Sequence, residues 1–382
     1  MPTTARGAPT GALRPAAAGS CAQLSPYRQN GCAEVTSGQV AHIISLARKA
    51  MRGDDLHAVL LSVWDGGRQI ARTALGQSIT SQPATTAMHF RIGAVAIAYE
   101  ATVLLKLVDE KRISLDDRLS KWFPGLPHAR QITLAQLIES RSGYYDYERS
   151  NQLLKKLYAN PFRYFSQHYL IRLGVSHQPL CKPGTCFNYA HTNFVILGHV
   201  LSKITGKPLA QLIKDDALTP LGLSNTDSPA TPAIRPPVLE AYDSERGVYE
   251  DSTYWNPSWS LAAGAIMTSD ITDLARSAIA VGSGRLLSRQ SYRVMIKPRS
   301  LLTPPGALKV YYGMGVFLDN SWVLQNPLFA GYNATMAYLP SKKIAIAVAT
   351  TLGPKASSTI NYSTRLTAAI AHYLVPAVPL SP

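Results

Sequence analysis

Hydroxyl groups are the first candidates for chemistry in this chain of 382 residues, because a serine becomes a nucleophile once a base stands within reach. No lysine has a serine three residues before it, so a Ser-x-x-Lys pair on one helical turn is absent. No Gly-x-Ser-x-Gly elbow occurs either. Ser283 in Val-Gly-Ser-Gly-Arg comes nearest, and its flanking glycines read as a turn. Ser140 and Ser142, in Glu-Ser-Arg-Ser-Gly, would need an unusual base such as His191, a ring that reads better as a hydrogen bonder in a pocket wall. The four cysteines fall in two close pairs, and of the three possible connectivities proximity favours Cys21–Cys32 with Cys181–Cys186. Pro183-Gly184 at the tip of the second pair is a turn signal that would bring its thiols together. No histidine or further cysteine stands at metal-finger spacing, so neither a metal nor a cofactor is expected.

With 46% hydrophobic and 16% charged residues, the chain has ample material for a buried core and is unlike a disordered polymer. Its formal charge of +15 suggests an anionic envelope surface, such as acidic wall polymer or membrane headgroups. Plain solubility is the alternative, and no nucleic-acid-binding signature is present. The paired cysteines argue for an oxidising, extracytoplasmic compartment, the cell envelope. Residues 1–20 hold Arg6 and Arg14 among small residues, without the apolar run of a secretory signal. Ala18-Gly19-Ser20-Cys21 only loosely resembles a lipoprotein cleavage box. No window approaches the ~18 to 20 apolar residues of a membrane span.

Elements to position a site are supplied by both ends of the chain. A flexible leader is expected over 1–36, one domain over 37–376 and a tail over 377–382. Val40, Ile43, Ile44 and Ala47 give an amphipathic helix over 38–51. A hairpin follows, with 57–64 running out, Asp65-Gly66-Gly67 turning and 68–75 returning. Near the other end, 310–318, 322–325 and 343–350 read as strands and 357–375 as a closing helix. The economical arrangement is an α+β fold whose antiparallel sheet, flanked by the terminal helices, uses 37–90 and 255–376. A mainly helical lobe over 91–254 is inserted between them. After Gly93 the residues Val95, Ile97, Ala98, Val103, Leu104, Leu105, Leu107 and Val108 leave hardly any polar side. That pattern predicts a helix buried between sheet and lobe. Further helices are predicted over 132–139 and 194–205.

Six stretches occur in a telling order: Phe90-Arg-Ile-Gly-Ala-Val-Ala-Ile97, 107–119, 131–147, Cys186-Phe-Asn-Tyr-Ala-His191, 260–274 and 331–351. Together, over about 38–375, they resemble the penicillin-recognising serine hydrolases, which include class C β-lactamases, D-alanyl-D-alanine carboxypeptidases and related esterases. The resemblance implies a β-lactamase/transpeptidase-like fold and places a degenerate active site at Ala94, Ile97, Tyr189, His191, Gln325 and Pro327. It also puts Glu139 where a histidine is usual, and Ser114 or Asp116 as the cap of a short helix. In that family a serine at position 94 attacks a carbonyl and a lysine at position 97 helps take its proton. A methyl group cannot attack and a sec-butyl group cannot accept a proton. Tyr189 keeps the family's tyrosine, whereas His191 replaces its substrate-binding asparagine. Gln325 stands for the basic residue of the third motif: it can donate a hydrogen bond but carries no charge for a substrate carboxylate. Pro327 lacks the N–H of a strand edge that should pair with substrate.

The expectation is a catalytically inactive relative acting as a binding or scaffolding protein of the cell envelope. Its former cleft would present the Ala94 amide at a helix start, with Tyr189, His191, Gln325 and Asn326, to a wall peptide, a lipid or a protein. The alternatives are a weak hydrolase of esterase, amidase or D,D-carboxypeptidase type with an unconventional nucleophile, and a regulatory partner of an active relative.

Overall fold

Helix Val95–Asp109 runs through the interior with twelve of its fifteen residues buried, as its nearly unbroken apolar surface demands. The computed structural model describes residues 37–381 except 80, 230, 305 and 306. The expected leader and the Cys21–Cys32 pair lie outside the described residues. Beside the central helix lie His191–Thr205 and Arg289–Met295.

Among the described residues, nine strands form one antiparallel sheet. Hairpin Leu56–Asp65/Arg68–Gly76 pairs with the late strand Ile344–Leu352, Val59 facing Thr350. Outward from there follow Tyr332–Leu339, Trp322–Gln325, Phe317–Asp319, Val310–Tyr312 and Ser300–Leu301, while Leu328–Phe329 also pairs with Tyr332–Leu339. Helices Ser37–Gly53, Tyr362–Leu374 and Ile271–Ser283 pack on this sheet. Every residue of Tyr332–Leu339 and Ile344–Leu352 is buried, the signature of strands covered on both faces.

Four expectations need correction. The run 310–318 is broken between Tyr312 and Phe317. Gly313 and Gly315 make a tight turn there, closed by Gly313 N–H on the Val316 carbonyl at 2.9 Å. Gly315 has φ +71°, and a Cβ on it would stand 2.8 Å from Ala101 Cβ. Glycine is required because the turn lies against the central helix. The closing helix starts at Tyr362 rather than at 357, where Asn361 accepts the Thr364 N–H at 3.1 Å. Helix Leu134–Ile138 is shorter than expected and begins at a Thr133/Gln136 capping box. The short helix after Ser114 and Asp116 is the 3-10 helix Leu119–Lys121, but neither residue caps it: Arg118 holds the cap position without a side-chain bond, and Ser114 Oγ takes the Asp116 N–H.

Candidate functional site

The turn ahead of the central helix forms the floor of a cleft of about 230 Å³. The amides of Val95, Ala96 and Ile97 close onto the carbonyls of Ile92, Gly93 and Ala94 at 3.0–3.1 Å. The Ala94 N–H is left without a partner among the described residues, and Ala94 lines the cleft. Gly93 has φ +39°, and a Cβ there would lie 2.7 Å from Pro327 Cβ. Pro327 therefore seats its ring against the helix start. Ile97, one turn deeper, is fully buried and offers no polar atom. Glu100 lies in the same helix with both carboxylate oxygens unpartnered among the described residues. Burial raises its pKa well above the ordinary carboxyl range.

Tyr189 and His191 form one wall. The Tyr189 ring stacks on Phe317 at 6.0 Å and meets Tyr312 and His191 edge-on at 5.8 and 5.4 Å. Burial, reinforced by Glu148, Asp146 and Glu100, holds its phenol protonated far above the usual range. His191 is the first residue of its helix. Asp146 accepts both its backbone N–H at 3.1 Å and its ring Nδ1–H at 3.2 Å, while Glu148 Oε2 stands 3.3 Å from the same nitrogen. Burial alone would lower the imidazole's pKa; Glu148 and Asp146 oppose it and carry it up to about 9. Asp146 is raised by burial but held below its ordinary value by His191, and Glu148 is pushed up to about 8 by burial. The three groups titrate as one coupled set, in which the carboxylates favour the imidazolium form of His191.

Ser140 and Ser142 do not face the cleft. Ser140 Oγ donates to the Asn188 carbonyl at 2.8 Å and accepts the amides of Ala190 and Asn193, while Ser142 Oγ donates to Asn193 Oδ1. Both are buried and hold the Tyr189 wall from behind. Ser283 ends the helix Ile271–Ser283 ahead of left-handed Gly284, away from the cleft. Glu139 is a structural acid, paired with Arg299 at 3.0 Å and Arg141 at 3.7 Å. The Cys181–Cys186 disulfide is formed, in the loop just ahead of Tyr189.

The opposing segment differs from expectation in what it offers a ligand. Gln325 ends an interior strand, opposite Met336, and is fully buried. Its Nε2 donates one of its two hydrogens to the Gly315 carbonyl at 2.7 Å, and its buried Oε1 has no partner among the described residues. Asn326 likewise commits its Nδ2, to Thr364 Oγ1 at 3.3 Å. Asn361 Nδ2 donates to the Asn326 and Pro327 carbonyls at 2.7 and 2.9 Å, and Ala334 N–H reaches the Pro327 carbonyl at 3.0 Å. Pro327 is therefore locked in place, and the strand edge beyond it is Leu328–Phe329.

Several residues in and around the cleft escaped the sequence reading, of which Trp259 and Glu148 line it. Trp259 stacks on Phe329 at 5.1 Å and has a buried indole N–H with no partner among the described residues. Asp146 and Glu148 join His191 only through folding, although their position right after the Ser142-Gly143 turn was a visible hint. Glu100 was an equally visible signal, an acid within an apolar run.

The Beta-lactamase family model matches residues 43–369. Penicillin-binding protein 4 of Amycolatopsis lactamdurans is 25% identical over 74% of this chain and 71% of its own length. The chain spans 61% of the length of one Bacillus subtilis relative. A D-stereospecific amidohydrolase from Streptomyces sp. superposes with a TM-score of 0.75 at 26% identity, covering 83% of this chain and 96% of that one. The D-amino acid amidase from Ochrobactrum anthropi SV3 superposes with a TM-score of 0.77 at 22% identity, covering 88% and 98%, a likeness of fold.

Proposed function

The chain belongs to the Beta-lactamase family, and we propose that it is a catalytically inert member that binds a ligand in the former active cleft. The observation that carries this reading is the floor: Ala94 and fully buried Ile97 supply neither a nucleophile nor a base. The surroundings support it. His191 is already protonated at neutral pH and the Tyr189 phenol is held neutral, so neither can activate water or a hydroxyl there. Ser140 and Ser142 are engaged elsewhere. What remains is recognition chemistry: an Ala94 N–H with no partner among the described residues, in a cleft also lined by Trp259, Gln325 and aromatic rings.

The protein then acts as a binding or scaffolding component of the cell envelope, with wall peptide, a lipid or another protein as its ligand. Relatives named for D-amino acid amidase and D-stereospecific amidohydrolase activity favour a peptide-like or amino-acid-derived ligand. The Cys181–Cys186 bond and the +15 charge support an oxidising compartment with an anionic surface. The test is labelling with a fluorescent penicillin and a fluorophosphonate, alongside hydrolysis of nitrocefin and D-Ala-D-Ala peptides. Neither label and no turnover above buffer are expected. Turnover that Tyr189→Phe abolishes would overturn inertness and establish an unconventional hydrolase.

A further inference from the structure

We infer that the protein carries a second ligand site, away from the cleft, which takes one aliphatic chain ending in a monoanionic head. A cavity of about 570 Å³ is lined by residues between Ala210 and Ser228 together with Arg235 and Met267. It shares no lining residue with the cleft, and a ligand there is independent of anything the cleft binds. The cavity has more than twice the cleft's volume of about 230 Å³ and lies within the ~300–1,000 Å³ of small-molecule sites.

The first ground is that the cavity is two-sided. Ile213, Leu218, Leu223 and Met267 are buried and make an apolar floor, whereas Gln211, Lys214, Thr219, Ser224 and Arg235 are exposed and make a polar rim. No aromatic ring is among the lining residues, so the floor suits a flexible chain better than a flat ring. An amphiphile would lay its chain on the floor and leave its head at the rim. One wall is a turn of π-helix, Lys214–Leu218, whose first and last residues both line the cavity. Such turns are rare and recur at functional sites.

The second ground is Arg235. His89 Nε2 lies 3.2 Å from its Nε and 2.8 Å from its Nη2, and Nη2 also donates to the Ser224 carbonyl at 3.1 Å and to Asn225 Oδ1 at 3.0 Å. His89 donates Nδ1–H to the Pro237 carbonyl at 3.3 Å, which leaves its Nε2 an acceptor. All three partners are neutral and none of them uses Nη1. No carboxylate pairs with Arg235 among the described residues. The guanidinium is therefore oriented without being neutralised, with one amino group left for an anion.

Lys214 adds a second cation to the rim and makes no ion pair among the described residues. Its neighbour Asp215 is held by Lys207 at 3.2 Å and by Gln211 at 2.6 Å. Asp227 is the acid in the lining, and its Oδ1 accepts from Thr268 Oγ1 at 2.7 Å. Lys214 and Arg235 against Asp227 leave one positive charge in excess, which a single anionic head balances. A fatty acid and a single-chain anionic phospholipid share that chemistry.

Calorimetry on the full chain, with each probe below its micelle-forming concentration, decides the matter. The tighter of decanoate and decanoyl-lysophosphatidylglycerol identifies the source of the head. It is expected to bind at least about tenfold more tightly than decanol or decyltrimethylammonium. Octanoate, with two fewer methylenes to bury, should bind roughly tenfold more weakly than decanoate. Arg235→Gln should weaken the anionic probe about tenfold and leave decanol unchanged. Lys214→Gln, at an exposed residue with no ion pair to lose, should give a smaller loss and keeps the test intact should the first variant fold poorly. Equal or tighter binding of decanol or of the ammonium probe would overturn the anionic head. Anion binding untouched by both substitutions, or failure of every probe to bind, would overturn the site itself.

Discussion

Ala94→Ser returns a hydroxyl to the cleft floor without a base to activate it. Loss of an activated nucleophile costs about a million-fold in rate, and the neighbours cannot restore it. His191 keeps its proton up to about pH 9, and the Tyr189 phenol is held neutral. The single variant is therefore expected to stay unlabelled by fluorescent penicillin. Adding Ile97→Lys supplies an amine, but in a fully buried position three residues before Glu100. Side chains so spaced on a helix lie ~5–6 Å apart. Burial alone keeps the Glu100 carboxyl protonated, but at ~5 Å and an effective dielectric of ~20 an ammonium–carboxylate pair gains about 3 kcal/mol, or more than two pKa units, which favours moving that proton onto the amine. Glu100 has no other partner among the described residues to divert it. The new lysine would hold its proton, and the double variant should label slowly at best. Adding Glu100→Gln removes the trap, and labelling should accelerate on the order of a hundredfold. Gel-based time courses, with melting curves to confirm folding, give the rates. Labelling of Ala94→Ser alone would show that an existing group is a competent base. Equal rates for the double and triple variants would remove Glu100 from the argument.

Stability should fall in alkali. The His191 pKa is raised above its unfolded value, so the cluster's contribution is complete below pH 6.5 and is lost as pH rises through about 9. Glu148, pushed up to about 8 although its side chain is partly exposed, costs stability from the ordinary carboxyl range up to about pH 8 and adds nothing above it. Urea unfolding should lose on the order of 3 kcal/mol between about pH 6.5 and 9.5, and His191→Gln should flatten the profile; a flat profile in the unaltered chain would refute the charged cluster. Reduction of Cys181–Cys186 opens a loop far shorter than the fifteen residues worth ~3 kcal/mol. Melting should hardly move while hydrogen exchange over 186–191 rises; unchanged exchange would show that Ser140 and Asn193 alone hold the wall.

The sheet and the central helix were legible because their apolar periods are long and consistent. Strand 310–318 was not, because its β-prone side chains mask a turn set by Gly313 and Gly315, which only the neighbouring helix makes necessary. At the site, the missing nucleophile and base could be read directly from Ala94 and Ile97. The hydrogen-bonding sense of Gln325 could not, since a backbone carbonyl ten residues earlier decides it. Nor could the protonation of His191, which depends on carboxylates more than forty residues away in sequence.

Asn361 caps the closing helix through Thr364 N–H and, with the same side chain, ties the carbonyls of Asn326 and Pro327. Fraying of that helix's first turn and loosening of the segment seated on Gly93 are consequently a single local opening event. The shape of the cleft is thus governed partly by a helix that contributes no side chain to its lining. Substitutions on that helix can alter what the cleft accepts by changing how often it opens.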